Sequence, residues 1–187
     1  MARSVLMAGG IVLALGFGSP YASAQSFTIT SSTFKDGEML QTKNAGNNKQ
    51  NPNCVGDNVS PPLSWTNVPE ATKSFALIMY DPEGRAGLGV VHWVAYGIPA
   101  SVTGFAEGEV SKESDKYVGG KSTPGLAHYF GPCTPPKTGY HHYTFTLIAT
   151  ELDAKELPAG LTRDELVAKL QGKAKGAAGL VGLFGKP

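Results

Sequence analysis

From Ser74 to Tyr80 the chain reads Ser-Phe-Ala-Leu-Ile-Met-Tyr without a charge, and Asp81-Pro82 stops the run. Seven residues suit a buried strand better than a helix, and Phe75, Leu77 and Met79 fall on one side of it. Pro82 has no N–H to carry a ladder further. Other strand segments flank this one. Phe27-Thr28-Ile29-Thr30 alternates apolar and polar, and Leu63-Ser64-Trp65 is short. Val90 to Ile98 and Tyr140 to Thr150 are longer, the second rich in Thr, Tyr and Phe. Between them, residues Asp36 to Ser60 run polar in Asn, Gln and Gly and read as a long irregular segment.

One helix is marked. Thr162 with Glu165 three residues on forms a capping box, and Leu161 against Leu166 a hydrophobic staple, which predicts a helix from Arg163 to about Gly172. Separated strands with Gly/Pro turns and one late helix point to a mainly β, sandwich-like domain rather than a βαβ fold. No internal repeat or linker divides residues 25–187, so they are expected to form a single domain.

The N-terminus has the order of a secretory signal peptide: Arg3, an apolar run from Val5 to Phe17, then Ala22-Ser23-Ala24. Cleavage is expected after Ala24, leaving a periplasmic or secreted protein. The run is too short to span a bilayer, as is the Gly-rich stretch from Gly176 to Gly185, so no membrane span is expected. No cysteine near the cleavage site offers a lipid anchor. Losing residues 1–24 removes Arg3 and no acid, which leaves fifteen cations against fifteen acids. A near-neutral chain without a basic run has little electrostatic reason to hold nucleic acid or an anionic membrane. Cys54 and Cys133 are the two cysteines, and export makes a disulfide the first reading of the pair. Two buried free thiols are the alternative; a metal role is weaker without a C-x-x-C partner.

Strand phase locates the groups that carry chemistry, because alternate side chains face opposite sides. Asp81 follows in phase with Phe75, Leu77 and Met79. His92 shares a face with Val90, Val94 and Tyr96, and His141 with Tyr143, Phe145 and Leu147. Three titratable groups thus sit beside apolar neighbours near strand ends, where buried polar groups need partners. Taken singly, Asp81-Pro82 reads as a turn and each histidine as a satisfied core residue. The loop Tyr129-Phe130-Gly131-Pro132-Cys133-Thr134-Pro135-Pro136 leads into the histidine strand, and its glycine can present a backbone N–H to an anion.

Four motifs stand in order: Asn58-Val59-Ser60-Pro61-Pro62-Leu63-Ser64-Trp65, Tyr80-Asp81-Pro82-Glu83, Val91-His92-Trp93, and Gly131-Pro132-Cys133-Thr134-Pro135-Pro136 through His141-His142-Tyr143. Together they resemble the phosphatidylethanolamine-binding protein family, in its bacterial Raf-kinase-inhibitor-like branch, over most of residues 27–187. The resemblance implies two antiparallel sheets in a Greek-key-like sandwich with a short C-terminal helix. It implies an anion pocket of Asp81, His92, His141 and Tyr143, with Gly131 contributing backbone, and no cofactor or metal. Exported bacterial members are also similar in their cysteine pair. Two departures stand out: the family's usual Asp-Pro-Asp is Asp81-Pro82-Glu83 here, and the Pro136–His141 connection is one residue shorter than usual.

The leading expectation is therefore a binding module for a small anion, a phosphate or carboxylate head group. An inhibitor or other partner of a protein is a second reading, carried by the family name alone. A hydrolase-type enzyme using Asp81, His92 and His141 is the third. No G-x-S-x-G, H-E-x-x-H or paired catalytic carboxylates support it.

Overall fold

The computed structural model describes Met1 and residues 25–186, so the expected leader over residues 1–24 lies, apart from Met1, outside the described residues. Nine strands follow: β1 (Thr28–Thr30), β2 (Glu38–Met39), β3 (Leu63–Thr66), β4 (Ser74–Asp81), β5 (Val90–Pro99), β6 (Gly104–Phe105), β7 (Val118–Gly119), β8 (Gly139–Thr150) and β9 (Ala174–Lys186). They form a small sheet of order β1-β3-β6 and a large one of order β2-β9-β8-β4-β5-β7. The fold is mainly β with two packed sheets, as the sequence and the resemblance predict. One pairing departs from the expected antiparallel sheets: β2 runs parallel to β9.

The apolar run of β4 lies between β5 and β8, with every residue but Tyr80 buried. Its two faces meet two different layers. Phe75, Leu77 and Met79 join Ile29 and Trp65 of the small sheet and Trp93, Phe145 and Leu147 of the large one in the inter-sheet core. Ala76 and Ile78 look outward with Val94 and Tyr96 onto Leu166 and Leu170 of the helix Arg163–Leu170. Burial on both faces is why the run shows no polar alternation. The helix opens as its sequence predicts: Thr162 Oγ1 accepts from the Glu165 N–H at 3.3 Å, and Glu165 Oε2 accepts from the Thr162 N–H at 2.8 Å.

Two features escaped the sequence reading. β9, the longest strand, pairs with β8 along its whole length, yet its repeated glycines disguise it, because glycine weakens strands and is depleted in them. Its Gly182 has a packing reason, since a Cβ there would lie 2.7 Å from Leu40 carbons. The polar segment from Asp36 to Ser60 is also better organised than its composition implies. Asn44 and Asn58 are buried in it, and Asn44 Nδ2 donates to the Val59 carbonyl at 2.8 Å.

Candidate functional site

Asp81 ends β4 on the inter-sheet side, in phase with Met79 as predicted, and is buried. Its Oδ1 accepts from the backbone N–H groups of Glu83 and Gly84, both at 2.9 Å. Its Oδ2 accepts from His141 Nδ1 at 2.8 Å, and the two side chains are 4% and 6% exposed. His141 sits near the start of β8, two residues before Tyr143 and on the same face.

The proton inventory of this pair is readable from its partners. The Thr138 hydroxyl donates to the Pro135 carbonyl at 2.8 Å, so its one proton is spent and its oxygen accepts from His141 Nε2 at 3.2 Å. With the hydroxyl proton on the Pro135 carbonyl, both ring nitrogens would carry protons, which makes His141 an imidazolium against the Asp81 carboxylate. The order hydroxyl, imidazole, carboxylate resembles a nucleophile relay, but in that proton arrangement the imidazole would hold no lone pair with which to act as a base on Thr138.

His92 reaches the same cavity by a route that phase alone does not give. Met79 pairs with Trp93 and Tyr80 with Val91, which leaves His92 as the extra residue of a β-bulge. Val94 and Tyr96 therefore face the helix layer, while His92 turns to the inter-sheet side with Trp93. The expected face shared with Val94 and Tyr96 is corrected accordingly. Its Nδ1 donates to the Phe130 carbonyl at 2.8 Å, its ring stacks on Phe130, and Tyr143 meets it edge-on at 5.1 Å. Burial pushes the His92 pKa below its ordinary value despite the Phe130 carbonyl and the Asp81 charge. The Tyr143 hydroxyl bonds Thr134 Oγ1 at 2.7 Å, and burial pushes its pKa up, so it stays neutral.

Asp81, His92, His141 and Tyr143 together line a cavity of about 720 Å³, whose walls include Val90, Phe130, Thr134 and Thr138. Gly131 is not on that wall. Its N–H donates to Asn58 Oδ1 at 2.8 Å rather than into the cavity, and a Cβ on it would lie 1.9 Å from the Asn44 carbonyl oxygen. Its place is thus structural: only glycine lets the pocket loop pass so close to the polar segment. Asn58, whose Nδ2 donates to the Tyr129 carbonyl at 3.1 Å, opens the first motif in the sequence, yet its role in holding this loop was not read from it. Its positive φ of 58° is a conformation that asparagine tolerates.

The Cys54–Cys133 disulfide, with Cα atoms 4.3 Å apart, ties the same two segments together, and Cys133, Asn51 and Asn53 stand on the cavity wall. In the chain-entropy view a loop of this length stabilises by roughly 4 kcal/mol. At the rim, Glu83 accepts from the His142 N–H at 3.0 Å and from His142 Nδ1 at 2.8 Å, so the longer acid does face the mouth. The turn after it holds Arg85 and Ala86 at φ 54° and 58°, which costs roughly 1–2 kcal/mol per residue. That turn carries Arg85 to the mouth, where it lines the cavity without an ion-pair partner among the described residues. Among the described residues no three His, Cys, Asp or Glu groups converge as metal ligands do, and no helix is long and apolar enough to cross a membrane.

Comparison with known proteins agrees with this architecture. The crystal structure of Escherichia coli YbcL superposes with a TM-score of 0.77 at 30% identity, covering 86% of this chain and 99% of that one. In sequence, the YbcL protein of Escherichia coli K12 is 37% identical over 136 residues, which is 71% of this chain and 73% of that protein. A Mycobacterium tuberculosis protein that carries a lipoprotein name, LppC, is 36% identical over 169 residues, 89% of this chain and 76% of its own length. The family model described as phosphatidylethanolamine-binding protein matches residues 30–185, and with the two-sheet fold and these relatives it places the chain in the phosphatidylethanolamine-binding protein family.

Proposed function

We propose that this is an exported binding protein whose cavity takes a small anion, a phosphate or carboxylate head group. The observation that carries the reading is the buried His141, held on Asp81 in the cavity wall, with Arg85, which has no ion-pair partner among the described residues, lining the same cavity; we read His141 as an imidazolium. Asp81 is saturated by three donors and so holds the imidazolium in place rather than meeting the ligand. Apolar walls such as Val90, Phe130 and Pro135 thin the water around those cations and strengthen their attraction for an anion. Export is supported by the leader-like order of Arg3, the Val5–Phe17 run and Ala22-Ser23-Ala24, by the Cys54–Cys133 disulfide, and by the lipoprotein name of the mycobacterial relative.

The test is calorimetric titration with inorganic phosphate of protein recovered from the extracytoplasmic fraction, where its sequence should begin at Gln25. Affinity is expected to be highest at acid pH and to fall as pH rises. His141→Gln keeps a donor but loses the charge, and should weaken binding by roughly 1.5–3 kcal/mol. Affinity that is flat with pH, or unchanged in that variant, would leave His141 structural and the reading wrong.

A further inference from the structure

His92 offers the cavity an acceptor rather than a charge. Its Nδ1–H is committed to the Phe130 carbonyl at 2.8 Å, which fixes the tautomer and leaves the lone pair on Nε2. That atom has no hydrogen-bond partner among the described residues, and it is not among the fully enclosed unpaired atoms either, since Trp93 Nε1 is the one such case there. On a residue only 3% exposed, Nε2 therefore opens into the cavity that His92 lines. Protonating it is opposed. Burial disfavours the charged ring first, and His141 adds a like charge; the Phe130 carbonyl, Asp81 and the Gly131 backbone offset this only in part. The charged or titratable groups around it are Asp81 from β4 and His141 and Tyr143 from β8, with Glu83 and Arg85 on the turn at the mouth. Asp81 is already filled by His141 and two backbone donors, and Glu83 by His142, so neither is free to stabilise a second imidazolium.

A bare phosphoryl oxygen placed against His92 Nε2 would set acceptor against acceptor, leaving both unpaired in a desolvated place, which costs more than a lost hydrogen bond. A ligand that carries its own proton removes the conflict. We propose that the pocket selects phosphate monoesters in their proton-bearing, monoanionic form, with the P–O–H donating to His92 Nε2 and the charged oxygens facing His141 and Arg85, over phosphodiesters, which have no proton to give. This deepens the anion reading and rests on it.

Ethyl phosphate and dimethyl phosphate make a matched pair. As monoanions they are isomers of equal charge and near-equal size: the first carries one ethyl ester and a P–O–H, the second two methyl esters and no proton to give. Calorimetric titration of the whole protein at about pH 5.5, below the second phosphate ionisation near 6, should show ethyl phosphate binding at least tenfold more tightly, because sites built around one hydrogen bond reject analogues that lack it. Nitrogen-15 NMR of the ethyl phosphate complex should show His92 with a single protonated nitrogen. Equal affinities for the two isomers would overturn the proposal and leave the anion pocket standing, as would a His92 ring doubly protonated in the complex. Binding of neither isomer nor of inorganic phosphate would overturn both.

Discussion

Two carboxylate–histidine pairs stand almost side by side on the same strand and turn. Asp81–His141 and Glu83–His142 have the same closest approach, 2.8 Å, and backbone N–H groups also reach each carboxylate, two at Asp81 and one at Glu83. Their surroundings differ: the first pair is 4% and 6% exposed, the second 39% and 54%. Contact geometry therefore says nothing about which pair matters; solvent does. In the buried pair each charge depends on the other, whereas in the exposed pair water can replace either partner. The alternation of strand β8 creates the contrast by sending His141 into the cavity and His142 out to the rim.

The widest separation between the pairs should appear on removing each acid. Asp81→Asn strands the His141 imidazolium in a desolvated place and should destabilise the fold by about 3–5 kcal/mol, read by urea denaturation. A loss under about 1 kcal/mol would mean that His141 is neutral and that the proton inventory drawn through Thr138 is wrong.

This contrast was legible in the sequence only in outline. The phase of Asp81 with Met79, and of His141 with Tyr143, follows from period-two alternation and survives in the structure, because β4 and β8 pair without interruption from Ser74 to Tyr80. His92 does not obey it, since a bulge is set by how two strands register and leaves no mark in the local pattern. Gly131 was legible as special but not in the expected way: its hydrogen-bond partner is Asn58, 73 residues away, and only the fold brings that amide to it. β9 was missed because its strand character comes from pairing with β8 and not from its own glycine-rich residues. The four ordered motifs pointed to the correct family because three of them carry residues of the cavity wall and the first, through Asn58, holds the pocket loop, so side-chain identity matters there more than periodicity.

A smaller effect should come from the hydroxyl that now occupies His141 Nε2. Thr138→Val keeps the shape but removes the acceptor, so stability should fall by about 0.5–1.5 kcal/mol, the net worth of one hydrogen bond. Phosphate affinity should move the other way, rising up to about tenfold, because the imidazolium N–H is freed for the ligand. Opposite signs in denaturation and calorimetry are the expected result. A joint loss would make Thr138 a ligand contact instead of a placeholder.

The exposed pair should give the smallest effect and a pH signature of its own. Burial pushes the Glu83 carboxyl up, but the His142 N–H, followed by the His142 ring, outweighs it and holds the pKa below the ordinary carboxylate range. A depressed folded value means that the unfolded chain takes up its proton first on acidification. The stability that Glu83 adds is thus fully present above the unfolded value, near pH 4, and is lost as pH falls through the lower folded one. Because the side chain is more than a third exposed, that contribution should stay within about 1 kcal/mol and shrink in salt. Denaturation of Glu83→Gln against the unmodified protein should show a small gap at neutral pH that closes at acid pH. A gap as large as that of Asp81→Asn, or one insensitive to salt, would show that the rim is drier than its exposure implies and that burial is not what separates the two pairs.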